Sequence, residues 1–242
     1  MRDNSHLLRI LFLSILVAVG VVISPILRVE GMCPMAHLIN IVCAVFLGPW
    51  YALLCATLIG IIRMTIMGIP PLALTGAVFG AFLSGYLYRL SKGKLIAAFA
   101  GEVIGTGIIG AIISYPVMTL LWGYEGLTWM FYVPSFIMGT LIGGSIAYLF
   151  LKKLAASGML QRIQGELNTQ RFASDATSPA SNAAAVAALG IICFMAARVL
   201  SGVVSPGAAF WPYVTYGILA VFLVAALISY FKNSAKGTAN DK

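Results

Sequence analysis

Long apolar runs alternate along the chain with short clusters of Gly, Pro, Lys and Arg. A helix needs about 20 mostly apolar residues to cross the hydrocarbon core of a bilayer. That length test predicts spans over 7–27, 51–67, 72–90, 95–122 and 127–151, and two more over 183–204 and 213–231. Between the first two of these lies a shorter apolar run, 35–47. It is too short to cross alone, which predicts a helix that starts part-way down beside a cavity. From 155 to 182 the composition turns polar and the apolar period is lost, apart from a short helical pattern over 159–168. The chain therefore reads as an all-α, polytopic helical membrane protein. A six-helix bundle occupies 1–154, a polar cytoplasmic linker 155–182, and two extra C-terminal transmembrane helices with a basic tail 183–242.

Within the spans, small residues fall at helical spacing. Gly76, Gly80 and Ser84 form one stripe, and Gly101 and Gly105 another. Such faces let helix backbones approach closely. Ser14 and Ala18 offer a similar small face on the first span, either for a partner helix or for ordinary packing within the bundle. Pro116 removes a backbone donor, which predicts a kink or break near Ser114 and Tyr115.

Composition supports the membrane reading. Of 242 residues, 61% are hydrophobic and 9% charged, outside the range of soluble domains. The formal charge of +8 does not indicate nucleic acid, because the cations sit between the spans. Arg2, Arg9, Arg89, Lys92, Lys94, Lys152, Lys153, Arg162 and Arg171 fall on one side, with Lys232, Lys236 and Lys242 after the last span. Arg28, and Arg63 near a span end, fall on the other. The positive-inside rule makes the first side cytoplasmic, so both termini face the cytoplasm of a multi-pass plasma-membrane protein.

The catalytic repertoire is sparse. G-x-x-x-x-G-K-[ST], H-E-x-x-H and G-x-S-x-G are all missing. Two histidines do not build a multi-histidine metal site, and Cys33, Cys43, Cys55 and Cys193 show no metal-binding or redox spacing. These observations imply no enzyme activity, no cofactor and no metal. What remains is a set of polar groups inside apolar segments. His37 and Asn40 are three apart on one helix face, and Glu102 and Thr106 are four apart on another. A carboxylate in a span survives only where protein, water or a ligand meets it. Arg63 either snorkels to the headgroups or points inward as a counter-charge to Glu30, Glu102 or an anionic ligand group. Tyr115, Trp129 and Tyr132, with Thr75, Ser114 and Ser135, lie toward the same side, and antiparallel passage of the spans would bring them together. A cavity of aromatics with few polar groups suits a small, flat, largely uncharged ligand.

The strings SPILRVEGMCPMAHLINIVCAVFLGPWYALLCA, GAVFGAFLSGYLYR and GEVIGTGIIGAIISYPV resemble the ThiW family of substrate-binding (S) components of energy-coupling factor transporters. The resemblance covers about residues 7–153. It implies a membrane receptor for a thiamine precursor, specifically hydroxyethylthiazole, that works with a separate transmembrane T component and two cytoplasmic ATPases. S components commonly present A-x-x-x-A on their first helix to the T component, and Ser14-Ile15-Leu16-Val17-Ala18 is the nearest match here. An autonomous ion-coupled permease with Glu102 as its proton-carrying group is the alternative, and a membrane-embedded enzyme or scaffold a third.

Overall fold

The structure, a computed structural model, describes residues 4–26, 33–172, 177–204 and 209–240. Arg2, Arg28, Glu30 and Lys242 lie outside the described residues, as does the side chain of Lys236. Among the described residues the elements are all helices: α1 Ser5–Ile23, α2 Pro34–Leu47, α3 Pro49–Met67, α4 Leu72–Leu90, α5 Leu95–Leu121, α6 Val133–Ala156, α7 Met159–Glu166, α8 Pro179–Val204 and α9 Trp211–Asn240. Helices α1, α3, α5, α6, α8 and α9 are long and apolar enough to cross a membrane. Helix α4 matches α3 in length, but its glycines, Ser84 and Arg89 dilute its apolar character.

Helix α2 is the centre of the bundle. It packs against α1, α3, α4, α5 and α6, and all of its 14 residues except Met35 and Leu38 are buried. A helix that is apolar on every side must be enclosed on every side. Its 14 residues rise about 21 Å, short of the ~30 Å hydrocarbon core. One end abuts the basic face of the molecule, where Gly48 turns the chain into α3 at φ +90° against Arg89. The opposite end therefore stops inside the bundle.

Helices α4 and α5 pack backbone to backbone. A Cβ on Gly101 would stand 2.7 Å from Ser84 Cα, one on Gly105 2.5 Å from Gly80 Cα, and one on Gly110 3.0 Å from Gly76 Cα. Going from the first of these contacts to the second, each helix moves four residues; to the third, α4 moves four and α5 moves five. The extra residue is absorbed by a π-helical stretch over Val103–Gly110, whose i→i+5 hydrogen bonds widen the turn.

One sequence expectation is narrowed and one is corrected. Of the kink or break expected near Ser114 and Tyr115, the break is absent, and helix α5 runs on through Pro116 as the span 95–122 requires. It continues to Leu121, with a second π-helical stretch over Val117–Leu121 following the proline. The sixth span starts at Val133 rather than 127, because residues 129–132 form turns that lead into Pro134 at the first turn of α6.

At the basic face α7 docks beneath the bundle. Gln164, 1% exposed, donates to the Val45 carbonyl oxygen (3.0 Å) and the Tyr88 hydroxyl (3.2 Å). Arg9 donates to the carbonyl oxygens of Leu167 and Asn168. Helices α8 and α9 pair with each other and lean on α6, where the Tyr148 hydroxyl donates to the Ser181 carbonyl oxygen and Lys152 to Asn182.

Replacing Gly105 by Ala drives a methyl into the α4 backbone, and overpacking of this kind costs about 1–3 kcal/mol. Gly217→Ala, where nothing lies within 4 Å of the added carbon, is the matched control. Thermal unfolding of detergent-purified protein is expected to show a clear loss for G105A and an unchanged or raised midpoint for G217A.

Candidate ligand-binding site

Glu102 is fully buried, the eighth residue of α5 counted from the basic end. One of its oxygens, Oε1, gathers three partners. His37 Nδ1 lies at 2.9 Å, Asn40 donates from Nδ2 at 3.0 Å, and Thr106 donates from Oγ1 at 3.1 Å. His37 and Asn40 reach it because they are one turn apart at the inner start of α2, and Thr106 because it is one turn along α5. Asn40 Nδ2 also lies 3.4 Å from the Ala77 carbonyl oxygen on α4. Gly80 makes the arrangement possible, since a Cβ there would stand 2.0 Å from Thr106 Oγ1 and 2.8 Å from Glu102 Oε2. That second oxygen is buried without a partner among the described residues.

Above this group lies a cavity of about 60 Å³. Its polar lining is His37, Arg63, Thr106 and Ser135; Cys33, Gly76 and Phe136 are among the residues that complete it. The cavity occupies the space that α2 leaves by ending inside the bundle, at the face opposite the basic one. With Nδ1 held by Glu102, His37 keeps Nε2 as its free ring nitrogen.

Of the residues singled out from sequence, His37, Asn40, Glu102 and Thr106 come together directly, and Arg63 joins His37 and Thr106 in the cavity lining. The two alternatives for Arg63 are resolved: it points inward, 4% exposed, with Nη2 3.2 Å from Cys33 Sγ. It does not pair with Glu102. The aromatic residues are placed elsewhere. Tyr115 and Trp129 pack on each other at 4.5 Å, Trp129 is 57% exposed, and Tyr132 reaches the site only through Phe136, at 5.8 Å. None of the three lines the cavity. Burial, with a smaller contribution from Tyr124, pushes the Tyr132 phenol above its ordinary pKa, so it stays an O–H group at neutral pH. Thr75 and Ser114 bond to each other at 2.7 Å across α4 and α5. Ser14 and Ala18 are exposed on α1.

Phe136 and Cys33 line the site but were not among the residues read from sequence as ligand contacts. Cys33 resembled the other cysteines, yet only Cys43 and Cys55 are fully buried. The available signal was its place directly before the Pro34 that starts the short helix. For Phe136 it was the small Gly76 facing it, where an added Cβ would meet its ring at 2.6 Å.

Residues 10–157 match the family model described as thiamine-precursor transporter protein (ThiW). That stretch is more than half of the chain and contains every residue of the site. No curated protein and no solved structure matches the chain.

Removing the carboxylate leaves three buried donors facing one another, and each unsatisfied buried group costs about 1–3 kcal/mol. Glu102→Ala is expected to lower thermal stability more than His37→Ala. The double variant should fall short of the sum of the two, with a coupling of about 0.5–3 kcal/mol. Additive effects in a double-mutant cycle would show that the 2.9 Å contact contributes nothing.

Proposed function

The chain belongs to the ThiW family of thiamine-precursor transporters, and from that premise we propose that it is the substrate-capture subunit of an energy-coupling factor importer. In this reading the basic face is cytoplasmic, both termini lie inside, and the cavity opens to the cell exterior. The ligand is a thiazole precursor of thiamine, in the first instance hydroxyethylthiazole. A separate transmembrane T component and two ATPases supply the engine.

The observation that carries the reading is the cavity itself, a recess floored by His37 and Thr106 of the Glu102 group and walled by the parts of α2, α3, α4 and α6 that lie away from the basic face. Its His37 and Thr106 edges suit a small heteroaromatic ring with a hydrogen-bonding substituent, and its apolar walls suit the ring faces. A receptor of this kind needs rigidity at the floor, and three partners on one oxygen provide it. The exposed Ser14 and Ala18 on α1 give a smooth strip for a partner helix.

Titration of the purified protein with hydroxyethylthiazole, thiamine and aminopyrimidine is expected to show tight binding of the thiazole without nucleotide. His37→Ala and Asn40→Ala should weaken it. Absence of binding to all three compounds would defeat the proposal. Uptake that persists in cells lacking every coupling-factor ATPase, and collapses with an uncoupler, would select the ion-coupled permease instead.

The docking strip has its own test. Ser14→Leu with Ala18→Leu is expected to abolish uptake by cells while leaving ligand affinity within about twofold. Normal uptake by the double variant would move the partner to another face.

A further inference from the structure

Among the described residues Arg63 is the one Lys or Arg in the cavity lining, and its placement is costly. It sits in the last turns of α3, which Gly68 ends in a left-handed conformation at φ +62°, with the Ile69 N–H returning to the Arg63 carbonyl oxygen. The residue is 4% exposed, Nε has no partner among the described residues, and the contact to Cys33 Sγ at 3.2 Å is to a weak acceptor. Among the described residues the carboxylates are Glu102, Glu125 and Glu166, and none lies within 4 Å of Arg63. Glu102 Oε1 is already shared by three groups, and Glu166 faces Arg162. A buried guanidinium demands an anion or several acceptors, and here it is turned toward the ligand space. Its planar fork matches a carboxylate or phosphate in two parallel hydrogen bonds. The aromatic residues that favoured an uncharged ligand, Tyr115, Trp129 and Tyr132, are absent from the lining, whereas Arg63 is part of it.

We propose that Arg63 forms an anion subsite at one end of the cavity, and that the preferred ligand is a thiazole precursor whose side chain carries a negative charge, such as a phosphate monoester or carboxylate. The inference rests on the ligand-capture reading above and refines it. The charged group lies between the start of α2 and the α3–α4 connection, against Arg63. The ring lies deeper, against His37 and Thr106. Neutral hydroxyethylthiazole fills the ring position but brings the guanidinium no counter-charge, and none comes from the described residues.

The test compares hydroxyethylthiazole, its phosphate monoester and 4-methylthiazole-5-acetate as ligands of the purified protein by calorimetry. At least one anion is expected to bind about tenfold or more tightly than the alcohol, the scale of a charge-assisted hydrogen bond. The phosphate and acetate arms tell which anion the subsite takes. Arg63→Gln should cost the anions about tenfold or more in affinity beyond whatever it costs the alcohol, so that the preference is lost, and Arg63→Lys should retain part of it. An alcohol that binds wild-type protein as tightly as both anions overturns the anion subsite while leaving the thiazole reading intact. An R63Q loss that is equal for all three ligands overturns it as well. Failure of all three to bind wild-type protein overturns the thiazole reading and this inference with it. Should R63Q not fold, the wild-type ranking decides alone, since only an anion preference weakens as salt rises.

Discussion

One carboxylate oxygen in an apolar interior organises this bundle. Glu102 Oε1 cannot be hydrated by lipid, so the fold surrounds it with His37, Asn40 and Thr106. Two of those three come from the first turns of α2, the helix that Pro34 starts inside the bundle. The carboxylate thus ties the inner end of α2 to the wall formed by α4 and α5, with Asn40 extending the tie to the Ala77 carbonyl. The void lies above the end of α2, with Arg63 at its edge. Close approach of the walls is a precondition, met at Gly80, where any side chain would displace both Thr106 and Glu102.

The two faces of the molecule are finished differently. At the basic face, side-chain hydrogen bonds tie α1, α2 and α4 to the segment of α7, leaving recesses beside Arg89 and Trp50 among the described residues. Gln164 bridges to Val45 and Tyr88, and Arg9 grips the carbonyls after α7. At the other face the short α2 leaves space, and the turns over residues 129–132 put Trp129 and Phe131 outside rather than over the opening. The C-terminal pair α8 and α9 stands apart from this design. It leans on α6 through Tyr148 and Lys152 and through Ile142, Phe194 and Met195, and it touches neither the carboxylate nor the cavity.

Much of this was legible in the sequence, because a bilayer makes few demands and enforces each strictly. Span length, the glycine stripes and the anomaly of a lone glutamate are one-dimensional signals, and they located α1 through α5 and the Glu102 group closely. The pairing of His37 and Asn40 with Glu102 was harder to read, since helix spacing shows which residues share a face but not which face meets which. Arg63 was ambiguous for the same reason: a cation near a span end satisfies snorkelling and inward burial equally well on paper. Trp129 and Tyr132 misled because aromatics at a membrane boundary also serve as interfacial anchors, and only the late start of α6 shows that they lie in turns. The five-residue step from Gly105 to Gly110 was present in the sequence, but it becomes meaningful only beside the four-residue step of α4 opposite it.

That mismatch of steps bears on how the chain tolerates change in length. A residue added to or removed from a regular helix rotates everything beyond it by about 100°, and the π-helical stretch over Val103–Gly110 holds one such surplus residue in place. Beyond it, Gly110 lies against Gly76 and Ser114 bonds to Thr75, contacts that hold in this phase alone. A homologue one codon shorter between Gly105 and Gly110 would revert to an ordinary helical pitch and must re-pair the outer half of α5 with a different stripe of α4. Alignments through this segment therefore have to allow a gap inside a transmembrane helix, where gaps are usually forbidden.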